Sequence, residues 1–326
     1  MQALRKIAII SNASKEGAED AGLHLKTLAE NHGLEVVITE EFPAPEGFLK
    51  GTDACFVIGG DGTLLSLMEQ AVDHEVPVAG VRYGQLGFLA TFSPEQLNVQ
   101  MPKIFDGAYQ VCHRSLLSFK QNSGKNRLAL NDLVVKSGSN GRLARFSVFA
   151  GDELVADYAC DGIVFSTPTG STAYNLAAGG PVAHPDARVV LMTPISAHTL
   201  TSRSVVFPSG VTLRIHAGEN PDPPLVSADG QTVFAPNPQF PLEVSAADST
   251  FPLLADMNHS HSRVLRHKFT CDSCIGLPTN NFLLKCFLLV PVLVLPVSSL
   301  GWEMDLAVRV MKVLRRKAKP KEAKYM

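Results

Sequence analysis

The sequence predicts an α/β amino-terminal domain built on a parallel sheet, followed by a β-rich, sandwich-like carboxy-terminal domain. Two observations carry this. Over the first hundred residues, strand-like and helix-like periods alternate, which is the pattern of βαβ units. Beyond Gly107 the segments become short and are punctuated by Gly, Asn, Asp and Pro, which is the pattern of antiparallel strands joined by turns.

In chain order, KIAIISN (6–12) is a short β-branched run and EDAGLHLKTLAENHG (19–33) has helical spacing closed by a glycine. LEVVITE (34–40) is again a strand, and ACFVIGG, LLSLMEQAVDHEV and PVAGVRYG repeat strand, helix, strand. From Tyr109 to about Val244 the strands RSLLSFKQN, RLALNDLVVKSGS, RLARFSVFAGDELVADYACDGIVFSTP and SVVFPSGVTLRIHAG read as the second domain. The expected division is 1–108, 109–256, a terminal segment 257–269 that returns to the first domain, and a tail 270–326.

Composition narrows the function. A chain of 326 residues, 45% hydrophobic and 18% charged, can form two domains with real cores, so a disordered or fibrous protein is excluded. The net charge of −2 gives no global basic field, so nucleic acid is not an expected partner. Six cysteines are spread along a chain whose first residues lack the apolar core of a secretory leader, which points to a reducing, cytoplasmic compartment.

The chemistry concentrates in two stretches. In FVIGGDGTLLSLM (56–68) an apolar strand ends on glycines, which lets the backbone approach a ligand at the carboxyl end of a sheet. The amides of Gly59, Gly60, Gly62 and Thr63 can converge on a phosphate, aided by the start of the following helix. Asp61 inside this anion-attracting turn is either a helix cap or a base for a hydroxyl aimed at a phosphoryl group. The lysine of a Walker A loop is absent.

The second stretch, CDGIVFSTPTGSTAYNLAAGGPV (160–182), offers hydroxyls at Ser166, Thr167, Thr169, Ser171 and Thr172 to phosphate or ribose, with Tyr174 available to stack on a base. A hydrophilic loop is the plainer reading. In LALNDLVV, Asn131 and Asp132 interrupt apolar runs; they suit a ribose diol, or a tight turn.

GGDGT at 59–63, GQLGFL at 84–89, Asn131–Asp132, and Asp161–Gly162 followed by STPTGSTAY and AGGP, in this order, resemble the NAD kinase family over roughly Lys6 to Lys268. GGDGT alone is shared with the related lipid kinases. The resemblance implies a kinase that phosphorylates the adenosine ribose 2′-hydroxyl of NAD, with ATP as donor, Mg2+ bridging the phosphates, and Asp61 as the base. It implies phosphate contacts from Gly59, Gly60, Gly62 and Thr63. It assigns NAD contacts to Asp61, Gly62, Asn131, Asp132, Arg142, Asp161, Thr172, Ala173, Tyr174, Asn175, Leu176, Ala177 and Gln231. Relatives assemble through the β-rich domain, so a homo-oligomer is implied. The alternatives are a lipid kinase tethered by its tail and a dinucleotide-binding module without turnover.

Three departures stand out. Arg82 and Tyr83 occupy the place where the family often has an Asn ahead of GxLGFL. Asn175, Leu176 and Ala177 follow TAY where Ser-Leu-Ser is common. After SRVLRHKF (262–269) the tail continues through an uncharged run, 286–302, of 17 residues and then a basic segment. That run is short for a membrane span and carries two prolines, so membrane contact is the lesser reading. HSH (259–261) with CDSC (271–274) has the residue types of a zinc site, but one CxxC without a second pair argues weakly for it.

Overall fold

The computed structural model describes residues 1–82, 87–90, 92–122, 124–138, 143–198, 202–219 and 222–269. The strands are β1 Lys6–Ser11, β2 Glu35–Thr39, β3 Ala54–Gly59, β4 Val78–Arg82, β5 Tyr109–Gln121, β6 Arg127–Ala129, β7 Asp132–Lys136 and β8 Ala144–Ala150. They continue as β9 Glu153–Cys160, β10 Gly162–Ser166, β11 Val189–Ile195, β12 Val205–Pro208, β13 Leu213–Ala217, β14 Leu225–Ala228, β15 Gln231–Val233 and β16 Leu242–Asp256. The helices are α1 Ala18–Asn31, α2 Asp61–Leu65, α3 Met68–Asp73, α4 Leu97–Phe105, α5 Tyr174–Ala177 and α6 His261–Phe269.

The amino-terminal strands are parallel in the order β2-β1-β3-β4. Period-two alternation sends Ile7, Ile9, Phe56 and Ile58 to one face, under α1 and α4, and Ala8, Ile10, Cys55 and Val57 to the other, under α2 and α3. Because both faces are covered, these strands are apolar throughout. The helix read from LLSLMEQAVDHEV differs from expectation: it starts at Asp61 and divides into α2 and α3 at Ser66–Leu67.

The sheet continues past Arg82 without a break. Strand β16 adds in parallel beside β4, with Leu253 opposite Val78, and the order runs on through β13, β8 and β9. Strand β5 pairs antiparallel with β16 from Tyr109 onward, interrupted by a register shift between Ala246 and Thr250. A second sheet, ordered β12-β11-β10-β7-β14-β15, packs against the later strands of the first. Phe119, Phe146, Ile215 and Val244 of one sheet meet Phe165, Val190, Met192 and Val226 of the other. The β-rich half is therefore a sandwich sharing its larger sheet with the α/β half, and Met1–Lys268 forms one compact unit.

Cys55 and Cys160 are buried core residues, and burial pushes the Cys160 thiol up to about 11. Among the described residues, no helix is long and apolar enough to cross a membrane. The apolar run at 286–302 and the cysteines of CDSC lie outside the described residues.

Candidate active site

Strands β1 and β3 are neighbours in the sheet, and the chain leaves them toward opposite faces, through α1 and through α2. In an open α/β sheet this is where a ligand crevice forms, at the carboxyl ends of the strands. Two polar features meet there. The GGDGT turn follows β3, and Asn12 follows β1 with its backbone N–H donating to the Ile58 carbonyl at 3.0 Å.

Asn12 was not among the residues singled out from the sequence. Its Nδ2 donates to Thr63 Oγ1 at 2.8 Å, and its Oδ1 accepts from Ser14 N at 3.0 Å and from Ser14 Oγ at 2.6 Å. Thr63 is buried, so this chain of bonds fixes its hydroxyl at the floor of the turn. The available signal was a side-chain amide placed directly after a buried strand.

Asp61 is the first residue of α2, and its carboxylate is clamped by the loop after β4. Oδ2 accepts the Phe88 N–H at 3.0 Å and Oδ1 accepts the Ala90 N–H at 3.1 Å. Gly87 makes the approach possible, because a Cβ there would overlap the carboxylate. Asp61 does not bond the amides of its own helix as a cap does; no side-chain cap bond is made at the start of α2. Its two oxygens keep lone pairs free for a hydroxyl proton.

Asn131 and Asp132 lie where β6 turns into β7, and the structure brings them beside Tyr174. A cavity of about 380 Å3 is lined by Leu65, Asn131, Asp132, Lys136, Tyr174 and Asp229, among others. The Lys136 ammonium stands 4.5 Å from the Tyr174 ring centroid, so the ring is held by a cation and a tethered flank. Leu65, on α2, carries the wall of this cavity to within one helical turn of Asp61.

The turn is braced by a residue the sequence reading passed over. Asp229 sits in the β14–β15 hairpin at φ 48°. Its carboxylate accepts the N–H groups of Leu130 at 2.8 Å, Asn131 at 2.7 Å and Asp132 at 3.2 Å. Burial raises the carboxyl groups of both acids; Asp132 reaches about 7, from burial first and the neighbouring Asp229 second.

The hydroxyls of STPTGSTAY correct an expectation. Thr167 Oγ1 donates to the Leu130 carbonyl at 2.6 Å, Ser166 Oγ to the Asn131 carbonyl at 3.2 Å, and Ser171 Oγ to the Pro168 carbonyl at 2.6 Å. Ser166, Thr167 and Ser171 are buried, and these hydroxyl bonds hold the loop to the Asn131–Asp132 turn and to itself; the buried Thr169 hydroxyl has no hydrogen-bond partner among the described residues. Gly170 lies so close to the Asn131 carbonyl that a Cβ there would overlap it. The hydroxyls of Ser166, Thr167, Ser171 and Thr172 thus serve internal carbonyls that burial would otherwise leave unpaired.

Asn175 is likewise internal. It is 0% exposed, its Nδ2 donates to the Ser171 and Pro181 carbonyls at 3.1 and 2.9 Å, and its Oδ1 accepts the Thr193 hydroxyl at 2.7 Å. Ala173, Leu176 and Ala177 are exposed and Thr172 is half-buried, with its hydroxyl donating to the Thr169 carbonyl at 3.2 Å. Gln231 lines an adjoining cavity of about 390 Å3 that shares Leu65 and Asp229 with the first. Asp161 is exposed, one residue beyond the Gly162–Lys136 pair, and is not part of the cavity wall. Arg142 lies outside the described residues.

Family models decide the assignment of this architecture. Residues 44–109 match the ATP-NAD kinase N-terminal domain and residues 130–255 match the ATP-NAD kinase C-terminal domain. The chain belongs to the NAD kinase family. An NAD kinase of Pseudomonas fluorescens (strain SBW25) is 33% identical over 293 residues, covering 85% of this chain and 99% of that protein. One of Syntrophobacter fumaroxidans is 35% identical over 225 residues, 68% of this chain and 80% of that one. The fold is shared with a yeast NADH kinase solved in complex with NADH, at TM-score 0.72 and 23% identity over 83% of this chain and 89% of that one. It is also shared with an Archaeoglobus fulgidus NAD kinase solved with ATP, at TM-score 0.67 and 24% identity over 81% and 98%. As a member of the NAD kinase family, the protein is a phosphotransferase whose two matched models meet across the cavity that joins Leu65 to Asp132 and Tyr174.

Proposed function

We propose that the protein transfers the γ-phosphoryl group of ATP to the adenosine ribose 2′-hydroxyl of NAD, forming NADP and ADP, with Asp61 as general base. The observation that supports this most is the Asp61 carboxylate, held between the Phe88 and Ala90 amides, in a glycine turn one helical turn from a polar acceptor cavity. As the 2′-oxygen forms its bond to the γ-phosphorus and the bond to the β-phosphate bridging oxygen breaks, the hydroxyl proton passes to Asp61. The two amides orient the carboxylate and leave its remaining lone pairs for that proton.

Gly59, Gly60, Gly62 and Thr63 hold the donor phosphates at the carboxyl end of β3, with Asn12 fixing the Thr63 hydroxyl. Asn131, Asp132 and Tyr174 hold the acceptor's adenosine, with Gln231 reached across the adjoining cavity; Thr172, Ala173, Leu176 and Ala177 frame the entrance, and Asn175 acts by holding that frame. Residues 1–108 then serve the donor, 109–256 the acceptor, and 257–269 close the first region. Among the described residues, no group of three or more His, Cys, Asp and Glu side chains is arranged to hold a metal. A divalent cation would be held by the nucleotide phosphates themselves, with the Asp61 carboxylate available to it. Mg2+, when bound, neutralises charge developing on the phosphates.

The cavity wall of Asn131, Asp132, Lys136, Ser227 and Asp229 suits a nucleoside and not a lipid, which disfavours the lipid-kinase alternative. A reducing cytoplasm and a homo-oligomer accord with the cysteine content and the family. The test is coupled formation of NADP from NAD, ATP and Mg2+ by the purified chain. NAD binding without NADP formation overturns the reading in favour of a dinucleotide-binding module.

A further inference from the structure

Strand β7 presents one face to the acceptor cavity. Asp132, Val134 and Lys136, at alternate positions along the strand, all line it, as period-two alternation requires. Tyr174, which lines the same cavity, begins α5. The strand holds this residue at two points: the Asp132 carboxyl accepts the Tyr174 backbone N–H, and the Lys136 ammonium stands over the ring, 4.5 Å from its centroid.

Local packing directs the lysine there. Lys136 ends β7, between Gly162 of β10 and Leu225 of β14, its antiparallel neighbours. A Cβ on Gly162 would come within 3.1 Å of the Lys136 Cγ, so the missing side chain leaves the lysine stem room to lie against β10. Tyr174 is reached from the end of β10 through the STPTGSTAY loop, so a stem turned toward β10 is turned toward the ring.

Lys136 is exposed, and among the described residues no carboxylate lies within ion-pair distance of its ammonium. Its charge is nevertheless felt in the cavity. Burial first and Asp229 second raise the Asp132 carboxyl, and the Tyr174 N–H and the Lys136 ammonium hold that rise back. One cation thus acts on both the aromatic and the acidic wall of a cavity of ligand size.

We propose that Lys136 is a positioning residue for the dinucleotide acceptor: it fixes the Tyr174 ring from the β7 side and leaves the opposite ring face as the platform on which the acceptor's adenine stacks. The backbone anchor at Asp132 and the cation at Lys136 come from one strand, so both reach Tyr174 from the same side. Cation and base then meet one ring on opposite faces, and each limits its rotation. Naming the base as that of NAD rests on the kinase reading; the hold of Lys136 on the ring does not.

The experiment measures kcat and KM for NAD and for ATP, and titrates NAD by calorimetry, in wild type, Lys136→Met and Lys136→Arg. Methionine keeps an unbranched stem and removes the charge, whereas arginine keeps the charge and stacks on aromatic rings. Lys136→Met is expected to raise KM for NAD and weaken NAD binding by about two- to fivefold, the range of a cation–π contact at an exposed site, with kcat and KM for ATP unchanged. Lys136→Arg is expected to bind NAD as the wild type does. Unchanged NAD binding in Lys136→Met overturns the proposal, and so does tighter binding, which would place the ammonium on the face the base needs. Equal losses in both variants overturn it as well, by reducing Lys136 to a packing role. If Lys136→Met does not fold, Lys136→Gln carries the same measurements. A wild type that binds NAD but makes no NADP defeats the kinase reading while leaving the titration to judge Lys136; a wild type that does not bind NAD overturns both.

Discussion

Asp229 and Asp132 are joined by a reciprocal pair of bonds: the Asp229 carboxylate accepts the Asp132 N–H at 3.2 Å, and the Asp132 carbonyl accepts the Asp229 N–H at 3.0 Å. A buried acid and a half-buried one are thus locked side by side in the wall of the cavity that Tyr174 also lines. Burial raises the Asp229 carboxyl, offset in part by the three backbone N–H groups that favour its charged form. Of the two, Asp132 is the carboxyl that burial and its neighbour push up to about 7.

This arrangement predicts an unusual pH response. A carboxyl raised on folding binds more protons in the native state, so its contribution to stability is full below the unfolded value near 3.8 and is lost as pH rises through about 7. Asp132→Asn removes that loss while keeping an oxygen for the Tyr174 N–H. Urea unfolding of the variant should gain on wild type between pH 4 and pH 7, with a slope of up to about 1.4 kcal/mol per pH unit. A constant difference across that range would show that the Asp132 carboxyl is not raised.

Asp229→Asn should act on the whole turn. An amide presents one oxygen to three N–H donors and turns its own N–H2 toward one of them, so at least one buried donor loses its partner. A cost of about 2–4 kcal/mol is expected, with a higher KM for NAD. Stability and KM both within error of wild type would remove Asp229 from the site's support.

Asn175→Ala separates scaffold from ligand contact. Deleting the amide leaves the Ser171 and Pro181 carbonyls and the Thr193 hydroxyl short of a partner. The expected loss is about 2–4 kcal/mol in chemical denaturation. An unchanged unfolding midpoint with lost NAD binding would return Asn175 to the role of direct contact.

The parts of this site that could be read in the sequence are those fixed locally. The strand that ends in GGDGT and the change of period after Gly107 are set by φ freedom and side-chain alternation, and both match the observed elements. The direction of the STPTGSTAY hydroxyls was misread because the carbonyls they serve, those of Leu130 and Asn131, lie 35 to 37 residues away. Asp229 was invisible for the same reason. An Asp-Gly between strands is explained by a tight turn, and its nearest partner, Asp132, is 97 residues earlier.

Asp61→Asn should abolish turnover while preserving the fold. The amide oxygen still accepts one of the Phe88 and Ala90 N–H groups, but it cannot accept a proton from the ribose hydroxyl. A fall in kcat of about a hundredfold or more is expected, within the range of general-base catalysis, with KM for ATP and NAD little changed. A variant retaining more than a tenth of wild-type kcat would show that Asp61 positions the substrate without taking its proton.

Gly87→Ala tests the clamp itself. The new methyl group occupies the space of the Asp61 carboxylate, so the Phe88–Ala90 loop must move away and both N–H bonds to Asp61 lengthen. The residue is half-buried at the loop edge and adds no polar group, so the fold should survive. A displaced base loses its near-attack geometry, for which a shift of about 1 Å costs on the order of a hundredfold in rate. Steady-state kinetics should therefore place the loss in kcat, and the Gly87→Ala/Asp61→Asn double variant should be no slower than Asp61→Asn alone, because both substitutions disable the same carboxylate. Independent, multiplying losses would instead give Gly87 a role apart from Asp61.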